Sequence, residues 1–217
     1  MRSAAATKRT SARMVTVSRT SAALPAGSPD GAMPTLRERI PSTESTASRT
    51  IVRTAAEAGL GDIPETGVTF AENALIKAHA AAAATGLTAI ADDSGIAVDV
   101  LGGAPGIFSA RWAGRHGDDQ ANLELLLSQL RDIDAAHRGA QFRCAAAAVT
   151  PDGREFVAEG AMPGRLATAP RGDGGFGYDP IFIPEGSEKS AAEMTPEEKN
   201  ARSHRGKALR ELAQHIA

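Results

Sequence analysis

TAIADDSGIAVDVLGGAPG, residues 88–106, is the stretch on which the reading of this chain turns. TAIA (88–91) has the apolar pattern of a short buried strand and runs straight into Asp92-Asp93-Ser94-Gly95. IAVDVL (96–101) reads as a second short strand, closed by the turn GGAPG (102–106). Two adjacent carboxylates at the end of a buried strand are unfavourable unless a cation or a fixed polar network compensates them. Strand ends in open α/β sheets are where ligands bind, and hard oxygen ligands suit Mg²⁺ shared with phosphate oxygens. D-D-S-G is also good turn chemistry, so spacing alone leaves a site and an Asp-rich turn both open.

Upstream, Thr69-Phe-Ala-Glu72 is a capping box that opens a helix through NALIKAHAAAAAT, stopped at Gly86. The alanines have the highest helix propensity and let a neighbouring layer approach closely. IVRTAAEAGL (51–60) reads as a short helix ended by Gly59 and Gly61. Glu72 has a structural role as the capping partner, whereas Glu65, in the loop Pro64-Glu65-Thr66-Gly67, has none and is the freer metal ligand. Lys77 reads either as a solvated surface lysine or as a phosphate contact.

Downstream, Asp118 or Asp119 caps a helix through NLELLLSQL. AQFRCAAAAVT (140–150), Pro151-Asp152-Gly153 and REFVAEG (154–160) make a β-hairpin. The glycine-rich loop RGDGGFGYDP (171–180) leads to the strand IFIP; its glycines let backbone approach a flat ligand on which Phe176 or Tyr178 could stack. Asp179 is placed to accept hydrogen bonds from a purine edge, although an ordinary hairpin loop fits the same residues. Thr195-Pro196-Glu197-Glu198 signals the final helix. On it, Lys199 and His204 are five apart, about 140° around an ideal helix, so only a helix start or a bend aims both at one ligand. His116, His137 and His215 have no partners at metal spacing and read as surface residues.

Strands and helices alternate with at least one hairpin, so the class is α/β with a mixed central sheet flanked by helices. The 217 residues carry 24 Lys and Arg against 26 Asp and Glu, a balance that gives no reason to expect a nucleic acid polymer as partner. No run of about 18 apolar residues exists, so no membrane partner is expected. Cys144, the single cysteine, excludes an internal disulfide framework and a cysteine-rich zinc site, and reads as a buried inert thiol. The charge is unevenly spread: residues 1–50 hold eight basic and three acidic residues, the reverse of the remainder. Residues 1–58 therefore read as a low-complexity segment, disordered or mis-framed, ahead of a domain over residues 59–217.

Taken together, ETGVTFAENALIKA (65–78), ADDSGIAVDVLGGAPGIFSARWAG (91–114), GGFGYDPIF (174–182) and EEKNARSHRGKAL (197–209) resemble the non-canonical purine nucleoside triphosphate pyrophosphatases. These are also called XTP/dITP diphosphatases or inosine triphosphate pyrophosphatases. The resemblance implies two lobes with a cleft, a homodimer in the cytoplasm, and Mg²⁺-dependent hydrolysis of dITP, ITP and XTP to the monophosphate and pyrophosphate. It also implies roles at matching positions. Asp93 resembles the proton acceptor and a magnesium ligand, and Glu65 the second magnesium ligand. Ser94 lies beside the phosphates and Lys77 faces them. Phe176, Gly177, Tyr178 and Asp179 match the base-binding loop, and Lys199, His204 and Arg205 the substrate contacts of the last helix.

One part of the family pattern is missing. The family begins with a strand and a Ser/Thr-x-Asn-x-x-Lys loop that grips the triphosphate, but here no asparagine precedes Asn73 and only Lys8 precedes Lys77. The loop is absent, and the first strand and helix are expected to be absent with it. That leaves a second reading, a catalytically impaired nucleotide-binding protein that keeps the base pocket. A third is a hydrolase of similar architecture acting on modified pyrimidine nucleotides.

Overall fold

The computed structural model describes residues 15–19 and 50–216. Its strands are β1 (Val15–Arg19), β2 (Thr50–Thr54), β3 (Thr88–Val98), β4 (Gly139–Val149), β5 (Glu155–Leu166) and β6 (Phe182–Pro184). They form one sheet in the order β2-β1-β3-β4-β5-β6. The helices are α1 (Phe70–Thr85), α2 (Asp119–Gln129), α3 (Pro196–Arg202) and α4 (His204–Ile216). The expected α/β class, a central sheet flanked by helices, is therefore present. Every pairing among the described residues is antiparallel, whereas the alternation of elements suggested a mixed sheet.

The decisive stretch is one strand, not two strands around a turn. β3 runs unbroken through Asp92-Asp93-Ser94-Gly95 and ends at Val98. β4 pairs with it residue for residue, Asp92 opposite Ala146, Asp93 opposite Ala145 and Ser94 opposite Cys144. That continuous ladder overrides the local turn preference of the sequence. Residues 51–60 also depart from expectation. They form the end of β2 and a turn in which the Thr54 N–H donates to Glu57 Oε2 at 2.7 Å.

A strand from the N-terminal segment lies at the edge of β3. β1 pairs there, with Val15 opposite Ile90 and Val17 opposite Thr88. Most of the segment read as disordered or mis-framed, residues 1–14 and 20–49, lies outside the described residues.

Side chains of a strand alternate between the two faces of its sheet. On one face, Ala74, Ala78, Ala81 and Ala82 of α1 pack on Ala89, Ala91, Ala145 and Ala147. On the other, Ala208 and Leu212 of α4 pack on Cys144, Ala146, Ala148 and Ala158. Further along this second face, Ile96, Val98, Phe142 and Phe182 meet Leu123, Leu126 and Leu130 of the α2 region. Alanine against alanine brings both helix axes close to the sheet. Burial of Cys144 raises its thiol pKa to about 12, which fits the inert thiol expected.

Local signals set the helix ends. Thr69 Oγ1 accepts from the Glu72 N–H, but the Glu72 carboxylate accepts from Val68 N–H at 2.6 Å instead of completing the box on Thr69. Gly86 ends α1 in the left-handed conformation that glycine adopts without steric cost. The box at Thr195 and Glu198 is complete.

Gly160 on β5 fixes the seat of α4. A Cβ there would collide with the carbonyl oxygen of His204 and stand 2.7 Å from Ala208 N. Gly160→Ala is expected to lift the first turn of α4 and lower stability by about 2–3 kcal/mol, measured by urea denaturation. An unchanged midpoint would show that α4 does not rest there.

Candidate active site

On the α1 face of β3, Lys77 joins two carboxylates. Its Nζ lies 2.9 Å from Asp93 Oδ1 and 3.0 Å from Glu65 Oε1. Lys77 is 4% exposed, which decides against the solvated reading. Arg111 approaches the other Glu65 oxygen at 3.6 Å. Asn73, one turn before Lys77 and fully buried, donates to Asp93 Oδ2 at 3.3 Å and accepts from the Gly67 N–H at 2.9 Å. It thereby ties Asp93 to the loop that carries Glu65. Burial raises the Asp93 pKa above the ordinary carboxylate value, with the positive charge of Lys77 opposing the shift. A carboxylate so placed is a stronger base than one in water.

Asp92 points to the opposite face and meets α4. Its Oδ2 accepts from Arg205 Nε at 2.8 Å and from Ser94 Oγ at 3.1 Å. Arg205 Nη2 also donates to Ser94 Oγ at 3.1 Å. His204 precedes it, with its ring stacked on Phe142 at a centroid separation of 5.2 Å. Burial lowers the His204 pKa from 6.5 to about 4, with the Arg205 charge adding to the shift, so the imidazole is neutral at pH 7. Its Nδ1 is buried without a hydrogen-bond partner among the described residues.

The glycine-rich loop is braced from within. Asp179 is 2% exposed; its Oδ2 accepts from the Phe176 N–H at 2.8 Å and from Lys199 Nζ. Lys199 Nζ also lies 4.8 Å from the centroid of the Phe176 ring, which is 53% exposed. The Gly177 N–H donates to Asp119 Oδ2 at 3.1 Å. Tyr178 is buried, and its hydroxyl donates to the Ser109 carbonyl at 2.9 Å. Phe176 is thus the aromatic face presented outward, while the Tyr178 ring is a strut inside the core.

The structure gathers the sequence-derived residues into three groups, the first on the α1 face of the sheet and the second on the α4 face. Glu65, Lys77 and Asp93 form one, and Ser94, His204 and Arg205 the second. Phe176, Gly177, Tyr178, Asp179 and Lys199 form the third. Asp93 and Ser94 are successive residues of β3 and join the first two. The required bend on the last helix exists: Ser203 separates α3 from α4, so Lys199 lies in the last turn of one helix and His204 starts the next. Lys199 lies close enough for its charge to act on His204. Sequence reasoning missed Asn73 and the partnership of Asp92 with Arg205. The signal for Asn73 was available, since a polar residue four before Lys77 shares its helix face with alanines.

Among the described residues no three of His, Cys, Asp and Glu are grouped as a metal site. Glu65 and Asp93 nevertheless converge on one cationic position, that of Lys77 Nζ. Two hard carboxylates fit Mg²⁺, which takes one or two such ligands and completes its shell with phosphate and water oxygens.

Two outcomes test this geometry. Asn73→Ala leaves the Gly67 N–H and Asp93 Oδ2 without that partner and is expected to cost about 1–3 kcal/mol in thermal denaturation. For His204, the unfolded chain binds a proton near the ordinary pKa of 6.5 while the folded chain resists until about 4. The His204 contribution to stability is therefore complete above that upper value and declines as pH falls through the window. A His204→Phe variant, read by urea denaturation at several pH values, should lose this part of the dependence.

Residues 38–215 match the model of the Ham1 family. A dITP/XTP pyrophosphatase of Streptomyces coelicolor is 70% identical over 151 residues, spanning 70% of this chain and 76% of that protein. A nucleoside-triphosphatase / dITP/XTP pyrophosphatase crystal structure from Mycobacterium abscessus is 56% identical, with a TM-score of 0.63 over 72% of this chain and 80% of that one. A HAM1 protein structure from Coxiella burnetii is 44% identical, with a TM-score of 0.69 over 74% and 83%. The sheet, the helices packed on it and the matched sequence agree, and the chain belongs to the Ham1 family.

Proposed function

We propose that this protein is a nucleoside triphosphate pyrophosphatase that hydrolyses dITP, ITP and XTP to the monophosphate and pyrophosphate and so cleanses the nucleotide pool. The observation that carries the reading is the convergence of Glu65 and Asp93 on the buried ammonium of Lys77. The names of the relatives from Streptomyces and Mycobacterium support the substrate class.

Glu65 and Asp93 are the proposed holders of Mg²⁺, which when bound neutralises triphosphate charge. Asp93 is the proposed catalytic base. Its raised pKa suits it to take a proton from water as the water attacks phosphorus, with pyrophosphate as the leaving group. Lys77 offers positive charge to the phosphates, and Ser94 lies beside them. Phe176 presents a ring on which a purine stacks, with Gly177, Tyr178, Asp179 and Lys199 holding that ring in place. Neutral His204 offers one N–H donor for a 6-keto oxygen, a match that the amino group of adenine lacks. Arg205 adds a guanidinium contact on the same helix start.

We place the protein in the cytoplasm as a homodimer, in keeping with the family it resembles. Among the described residues no helix is long and apolar enough to cross a membrane.

The test is Mg²⁺-dependent pyrophosphate release from dITP and XTP, with dATP and dGTP as controls. Selective turnover is expected, and Asp93→Asn should lower kcat by about 10²–10⁴-fold. Nucleotide binding by a folded sample without turnover would instead favour the impaired binding protein, and preference for a methylated pyrimidine triphosphate would favour the third reading. In the wild-type rate profile, activity should fall on the acid side as Asp93 takes up its proton.

A further inference from the structure

Asp92 has no part in the chemistry assigned to Asp93, yet it is one of the most deeply buried charges of the chain at 3% exposure. Its neighbours on this face are Arg205 and Ser94, with the Cys144 thiol 3.8 Å away. Arg205 Nε and Nη2 are engaged by Asp92 and Ser94, two side chains on one face of β3. A guanidinium is planar, so two such contacts along one edge fix both its position and its plane. Among the described residues no hydrogen bond engages Nη1, which leaves that nitrogen to meet a ligand. Ser203 Oγ caps the first turn of α4 by accepting from the Gly206 N–H at 3.1 Å, and the Arg205 contact ties that turn to β3.

We propose that Asp92 is a positioning residue, which holds the Arg205 fork in the orientation that binds substrate and ties the start of α4 to the strand bearing Asp93. This rests on the reading of Arg205 as a substrate contact. The Asp92-Asp93 dipeptide then serves both halves of the site from one strand. One carboxylate acts on the α1 face, and the other aligns a cation on the α4 face. Because Asp92 works through Arg205 on the bound substrate, its loss weakens binding and leaves the proton transfer by Asp93 in place.

The test uses the full chain with dITP. Asp92→Asn keeps the shape but removes the charge that anchors Nε. It should raise KM about tenfold, leave kcat within about twofold, and leave the Mg²⁺ concentration for half-maximal rate unchanged. Arg205→Ala should raise KM at least as much, and adding Asp92→Asn to it should raise KM no further, since the two act as one unit. Arg205→Lys, which keeps the positive charge but loses the fork, should resemble Asp92→Asn; it carries the test if the latter does not fold. Multiplying KM effects in the double variant, a shifted Mg²⁺ requirement in Asp92→Asn, or wild-type KM in Arg205→Lys would each overturn the proposal. A wild-type protein that does not turn over dITP would overturn the functional reading and this inference with it. Turnover that is abolished by Asp93→Asn and indifferent to Asp92→Asn would overturn the inference alone.

Discussion

The pleat of β3 sends two neighbouring carboxylates to opposite faces of the sheet, and each finds its own cation from a different helix. In a turn, Asp92 and Asp93 would share one environment and repel each other. In the strand, Asp93 meets Lys77 of α1 and Asp92 meets Arg205 of α4. A slip of one residue in the β3–β4 register would exchange the two faces and strand both charges. The pairing of Asp92 with Ala146 and Asp93 with Ala145 is therefore a functional constraint as well as a structural one.

The apolar packing serves that constraint. Lys77 and Arg205 reach their carboxylates because α1 and α4 lie close to the sheet, and they lie close because the surfaces between them are mostly alanine, with glycine at one point. Buried ion pairs add little net stability once desolvation is counted, so burial in the three apolar clusters does the stabilising. The ion pairs select which seating of the helices is compatible with the strand. Larger residues at the contact would bury more area and still leave the cations out of reach.

The loop over residues 171–180 follows a related logic. Its inner side is tied down by the Tyr178 hydroxyl and the Asp179 carboxylate, and the Phe176 ring stays outward under the Lys199 ammonium. An aromatic platform held by several anchors on the protein side presents its face at low entropic cost to a flat ligand. The break at Ser203 matters for the same reason, since an unbroken helix would point Lys199 and His204 apart.

By itself the sequence determined the element types with strong local chemistry: the capped helix from Phe70 to Gly86, the hairpin around Pro151-Asp152-Gly153 and the boxed helix start at Thr195. It also named Glu65, Lys77 and Asp93 as candidates, because family motifs preserve residue type and spacing. Only the tertiary structure decided that Asp92-Asp93-Ser94-Gly95 is extended, because turn preference is local whereas the ladder from β4 is contributed some fifty residues away. It alone separated Phe176 from Tyr178, two aromatics of equal promise in the loop, one outside and one buried. Nor could spacing reveal that Asp92 and Arg205 meet, since they are 113 residues apart and only the seating of α4 on Gly160 brings them together.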